Sequence, residues 1–142
     1  AVLSGIDLVV ACPPGYEREV RGATVVHDPR AAVDGAHAVY TDVWVSMGEP
    51  ESLWGERIAQ LRLYQVNAEL LRMTGNPAVK FLHGLPSPQQ RDARKGEEPY
   101  RSFGVDALEV TDDVYASPAS VVSDQAENRL HTIKAVLVAT LA

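Results

Sequence analysis

Five short valine-rich runs punctuate this chain, and they constrain its fold more than anything else in the sequence. They are DLVVAC (7–12), TVVHD (24–28), AVYTDV (38–43), KFLHGL (80–85) and SVVSDQ (120–125). Polar residues, Gly or Pro close each one. Their nearly continuous apolar character, without strict alternation, suits parallel strands covered on both faces. Helical patterns lie between them. Asp28-Pro29 opens a short one, with Asp as N-cap and Pro in the first turn. Residues 50–63 carry a longer one, Asn67 can cap AELLRMTG, and Thr111 can cap DDVYAS. A last helix, read from residue 126, has an apolar face through Leu130, Ile133, Val136, Leu137 and Leu141. Strands alternating with helices predict an α/β fold with a parallel sheet, whose ligands bind beyond the carboxyl ends of the strands.

The loops at those ends are therefore the places to look. They are PPGY (13–16), DVWVSMGEP (42–50), HGLPSP (83–88) and DQAENR (124–129). The polar segment 86–110 is too long for an ordinary connection and predicts a flap or an extra helix. With 142 residues the chain has the length of one domain, and its net charge of -6 argues against nucleic acid or an anionic membrane surface as partner. No apolar segment is long enough to span a membrane. The single cysteine, Cys12, cannot form an internal disulfide, which fits a reducing cytoplasm. AVLSGID reads as the end of a helix, so a processed or truncated product is expected.

At the second loop, Asp42 can hold an ammonium group, while the Ser46-Met47-Gly48 turn can offer N–H groups and a hydroxyl to a carboxylate. Together they would bind both ends of an α-amino acid. On local pattern alone, however, Asp42 reads as a turn cap and Ser46 as a helix cap. His83 is a proton carrier or donor on one reading and a structural hydrogen-bond partner on the other. Arg129 can bind an anion or carbonyl, or pair with Glu127 or Asp124. Cys12 reads as a small buried hydrophobe rather than a nucleophile, and Trp44 and Trp54 as packing residues. There is no metal-ligand spacing and no Gly-rich phosphate loop, and no cofactor is expected.

Taken jointly, DVWVSMGEP, YQVN, NPAVKFLHGLP and LEVTDDVYASPASVVSDQAENRLHTIKAVLVATL resemble the carboxy-terminal, ornithine-binding domain of ornithine carbamoyltransferases. The resemblance runs from GIDLVVACPPGYE to the last residue. It implies a Rossmann-like three-layer α/β domain spanning 1–142, with a parallel sheet lacking its first, central strand. That gap would leave DLVVAC and KFLHGL without their expected neighbour. It implies a cytoplasmic transferase of arginine biosynthesis that moves a carbamoyl group from carbamoyl phosphate to the δ-amino group of L-ornithine. In that likeness Asp42, Ser46 and Met47 hold the α-amino and α-carboxylate groups. The Leu85 carbonyl meets the carbamoyl amino group, Arg129 polarises the carbamoyl oxygen and His83 stands near it, with a cis Leu85-Pro86 bond shaping the turn.

Two departures from the pattern matter. The family motif His-Cys-Leu-Pro is here His83-Gly84-Leu85-Pro86, so Gly84 keeps the turn but removes a thiol. The amino-terminal domain that binds carbamoyl phosphate in the family has no counterpart here. The expectation is an ornithine-binding half, inactive as an isolated chain, within a homo-oligomer or a complex supplying the missing segment. The competing expectations are a non-catalytic amino-acid-binding or interaction module, and a carbamoyltransferase-like protein with a changed amine substrate.

Overall fold

A computed structural model of the chain describes residues 2–45, 49–85 and 107–141. Strand β1 (Leu8–Ala11) runs parallel to β2 (Ala23–Val26), and helix α1 (Pro29–Val33) follows. Asp28 caps α1 as the sequence predicts, accepting a hydrogen bond from the Arg30 amide at 2.9 Å. Strand β3 (Ala38–Asp42) leads to α2 (Trp54–Leu61), flanked by single 3-10 turns, and then to α3 (Ala68–Met73). Asn67 caps α3 through the Leu70 amide at 2.9 Å, and Gly75 leaves it with φ of 66°, a conformation favourable only for glycine. Strand β4 (Lys80–Gly84) then pairs in parallel with β3. Helices α4 (Asp112–Tyr115) and α5 (Val122–Leu141) complete the chain.

Four of the five valine-rich runs are thus strands, and the architecture is α/β with parallel pairing. The fifth is not a strand. Ser120 makes a single parallel bridge to Phe81, with Phe81 N–H donating to the Ala119 carbonyl at 2.8 Å and Val121 N–H to the Phe81 carbonyl at 3.0 Å. The chain then enters α5 at Val122, four residues before the expected start, with Asp124 in the first turn facing the positive end of the helix. Thr111 precedes α4, but its hydroxyl makes no cap and lies buried without a partner among the described residues.

The open edges also differ from the expectation. Among the described residues the strands form two separate pairs, β1–β2 and β3–β4. KFLHGL does not border the gap, because β3 occupies one of its edges and the Ala119–Val121 segment the other. The strand left open opposite β1 is β3, whose Tyr40 is 58% exposed. Both line a cavity of about 530 Å³, with Val9 and Ala11 on one side and Ala38 to Asp42 on the other.

The main core sits around β4. Phe81 and Val110 are fully buried, packed with Val33, Val39, Val66, Leu70, Leu71, Val79, Val114 and Val122. A smaller cluster joins Trp44, Val45, Ile58 and Leu108, with Trp54 and Leu61 against it. Both tryptophans pack, as the sequence predicts. The apolar face of α5 does not: Leu130, Ile133, Val136, Leu137 and Leu141 are all exposed. No helix among the described residues is long and apolar enough to cross a membrane.

Candidate functional site

Strands β3 and β4 end at the same level, with Thr41 opposite His83 and Asp42 opposite Gly84. Side chains alternate between the faces of a strand, so Gly84 shares a face with Asp42 whereas His83 points the other way. The Asp42 carboxylate uses the space that a side chain at position 84 would fill. A Cβ placed on Gly84 would lie 2.8 Å from Asp42 Cγ and Oδ1 and 3.0 Å from Oδ2. Asp42 Oδ1 also accepts from the Val43 amide at 2.8 Å, which bends the carboxylate back over the strand end. The result is an exposed anionic group at the carboxyl end of a parallel pair, where this class of sheet binds its ligands.

The loop leaving Asp42 is fastened on both sides of Ser46-Met47. Ahead of them Trp44 and Val45 are buried in the smaller cluster. Beyond them Arg57 Nη1 donates to both Glu49 carboxylate oxygens, at 2.6 and 2.7 Å. That hydrogen bond pushes the Arg57 guanidinium further above its ordinary range. Ser46 and Met47, proposed to hold the amino-acid carboxylate, lie outside the described residues, as do Pro86 and residues 86–106 of the long segment.

Leu85 follows Gly84 directly and is exposed. Arg129 lies on the exposed surface of α5, and its guanidinium makes no ion pair among the described residues, so its pairing with Glu127 or Asp124 is not seen there. His83 is fully buried, and its Nε2 lies 3.0 Å from Oε1 of Glu109, itself fully buried. Its backbone N–H donates to Gln125 Oε1 at 3.2 Å, and Gln125 Nε2 reaches the Tyr40 hydroxyl at 3.4 Å. The structure therefore brings Asp42, Gly84 and Leu85 together at the surface and sets His83 beneath them.

Glu109 is the residue that sequence reasoning missed. Its signal was a lone carboxylate inside the apolar stretch Ala107-Leu108-Glu109-Val110, too short to show a period. Leu108, Glu109 and Val110 are all buried. The segment is held in place by Val66 N–H donating to the Glu109 carbonyl at 2.9 Å and Thr111 N–H to the Val66 carbonyl at 3.0 Å.

The loop after β1 is built differently. His27 Nδ1 donates to the Cys12 carbonyl at 2.9 Å, its Nε2 lies 3.4 Å from Glu17 Oε1, and Glu17 Oε2 accepts from the Gly15 amide. Burial pushes the Cys12 thiol up, and the Glu17 charge adds to this. A thiol held protonated is a poor nucleophile. Iodoacetamide at neutral pH is expected to alkylate Cys12 about tenfold more slowly in the folded chain than in urea. Equal rates by mass spectrometry would reveal a reactive thiol instead. Among the described residues no group of three or more His, Cys, Asp or Glu could hold a metal ion.

Comparison with known proteins places this geometry in context. The family description "Aspartate/ornithine carbamoyltransferase, Asp/Orn binding domain" matches residues 1–140. The chain is similar to a catabolic ornithine carbamoyltransferase from Pseudomonas putida, with 51% identity over 96% of this chain and 41% of that protein. It is similar in structure to the ornithine carbamoyltransferase of Thermus thermophilus, with a TM-score of 0.74 and 38% identity over 99% of this chain and 42% of that one. The enzyme from Pyrococcus furiosus gives a TM-score of 0.71 and 39% identity over 92% of this chain and 40% of its own. The chain thus spans about two fifths of the length of these relatives.

Proposed function

We propose that this chain, which belongs to the aspartate/ornithine carbamoyltransferase family, is the ornithine-binding half of an ornithine carbamoyltransferase. The observation that carries this reading is the exposed Asp42 carboxylate at the shared end of β3 and β4, facing Gly84. In the reaction, the δ-amino nitrogen of L-ornithine attacks the carbonyl carbon of carbamoyl phosphate. The carbon–oxygen bond to phosphate breaks, phosphate leaves with the bonding pair, and the nitrogen loses a proton to give L-citrulline. Asp42 anchors the α-ammonium group, and Ser46 and Met47 receive the α-carboxylate. The Leu85 carbonyl orients the carbamoyl amino group and Arg129 stabilises charge developing on the carbamoyl oxygen. His83 acts from below, by supporting the turn. Carbamoyl phosphate binds to a second, amino-terminal segment, so transfer needs both parts assembled, as a complex or homo-oligomer. The test is calorimetric titration of the 142-residue chain with L-ornithine, putrescine and L-lysine. Saturable binding of ornithine above the other two supports the reading, and binding of none of them overturns it.

A second reading is favoured by Gly84, where the Asp42 carboxylate takes up the room that a side chain would need. The site then serves an altered amine, or binds an amino acid without transferring anything to it. Gly84→Cys separates the two. The new side chain must push Asp42 off the Val43 amide, at about 1 kcal/mol in a hydrogen bond of this kind. On the main reading, Gly84→Cys strengthens ornithine binding once Asp42 has swung outward. Weaker ornithine binding, alongside better binding of another amine to the unsubstituted chain, would favour an altered substrate.

A further inference from the structure

The valine-rich run that does not become a strand leaves a problem at the end of β4. Parallel ladders space their hydrogen bonds evenly along the strand. On the edge of β4 away from β3, Phe81 N–H donates to the Ala119 carbonyl and Val121 N–H to the Phe81 carbonyl. The next donor on that edge is His83 N–H, whose acceptor in a continuing strand would be the Val121 carbonyl. That carbonyl is already taken, because the chain has turned into α5 and Gln125 N–H donates to it at 2.9 Å. His83 is fully buried, so an unanswered N–H there would be costly.

The residue that removes the acceptor also replaces it. Gln125 Oε1 accepts from His83 N–H at 3.2 Å. A backbone N–H can only donate, so the amide oxygen must face it, which leaves Nε2 for the Tyr40 hydroxyl at 3.4 Å. The contact also fastens the helix. Beyond Val122, Gln125 is the only residue of α5 that is not exposed, among the described residues.

Three parts of the candidate site meet at this side chain. Tyr40 lies two residues before Asp42, on the same face of β3. His83 immediately precedes Gly84 and Leu85, and Gly84 has no side chain to fix its own position. Arg129 follows Gln125 by one helical turn, on the same face of α5. One amide group thus ties the strand carrying Asp42 to the end of β4 and to the helix carrying Arg129.

We infer that Gln125 is a positioning residue: its side chain continues the β4 ladder after the backbone has left it, and so holds Asp42, Leu85 and Arg129 in one arrangement. The effect on ligand binding rests on reading the site as an amino-acid site, whereas the ladder role stands without it.

The experiment uses the 142-residue chain labelled with nitrogen-15, reading amide hydrogen exchange at His83 and Phe81 and L-ornithine affinity by calorimetry. Gln125→Met keeps the length of the side chain and removes its oxygen. In this variant His83 N–H is expected to exchange at least about tenfold faster, while Phe81 N–H, one step back on the ladder, stays within about twofold. Ornithine affinity is expected to fall about fivefold, with the melting temperature within about 3 °C of the parent. Gln125→Asn, one methylene shorter, is a second variant expected to behave as Gln125→Met does. Gln125→Glu keeps an acceptor for His83 N–H and is expected to hold both exchange and affinity within about twofold of the parent. Unchanged His83 exchange in Gln125→Met and Gln125→Asn overturns the ladder role, as does equal acceleration at Phe81 or a failure of Gln125→Glu to protect His83. Unchanged ornithine affinity alongside faster His83 exchange overturns the positioning role. If the unsubstituted chain binds no ornithine, the functional reading fails, and the Gly84 and Leu85 amide shifts decide the positioning: signals displaced in Gln125→Met and restored in Gln125→Glu support it, and unmoved signals sink it.

Discussion

Asp42→Asn is expected to lower the affinity for L-ornithine by about 100-fold, since a charge-assisted hydrogen bond to an ammonium group contributes about 2–3 kcal/mol. The substitution preserves shape. An asparagine oxygen can still accept from the Val43 amide, so the bend over Gly84 survives while the charge does not. Because Asp42 is exposed, the melting temperature should move by no more than a degree or two. Asp34→Asn, an exposed carboxylate away from the strand end, serves as the control for net charge. Calorimetry with both variants settles the matter: equal loss in the two would mean that the site attracts cations only through the general field of an acidic protein. A change of less than about threefold in Asp42→Asn would remove Asp42 from the site altogether.

The largest effect on the fold is expected from Phe81→Ala. Phe81 is fully buried and lies in mid-sheet, flanked by Val39 on β3 and by the Ala119–Val121 segment on its other edge. Deleting its ring removes the piece against which helices and strands of the main core meet, at about 3–5 kcal/mol. Small domains are stable by only about 5–15 kcal/mol in total, so the melting temperature should fall by about 10–20 °C. Phe81→Leu, which keeps most of the volume, should cost less than about 1.5 kcal/mol. If Phe81→Ala melted within about 2 °C of the parent chain, the core would not be organised around β4.

The sequence was most informative where local chemistry and tertiary structure agree. Asp28-Pro29 and Asn67 cap their helices because an N-cap needs only its own next few residues. Valine-rich runs became strands wherever a neighbour was available along their whole length. SVVSDQ had only Phe81 beside it, and its Ser-Asp-Gln half suits a helix start, so a single bridge was all it formed. The α5 apolar stripe was correctly read as a stripe, but periodicity cannot say what it packs against, and here it stays exposed. Asp42 and Gly84 were each legible as loop residues. That their atoms contend for one space follows from strand register, which no local pattern carries. Glu109 was invisible for the same reason: its partner lies across the fold, and one carboxylate among apolar neighbours has no period to betray it.

The division of the strands into two pairs also bears on how quickly the chain acquires its structure. β1 and β2 are joined by a short connection and can find each other early, since closing a small loop is fast. β3 and β4 can meet only after α2 and α3 have been spanned, and Phe81 meets Ser120 only after the long segment that follows β4 has been crossed. Such distant pairings are slow, because chain entropy is lost well before any contact repays it. The strand end carrying Asp42 and Gly84 is therefore assembled by the late-forming half of the molecule, and a newly made chain can pair β1 with β2 before it holds a site.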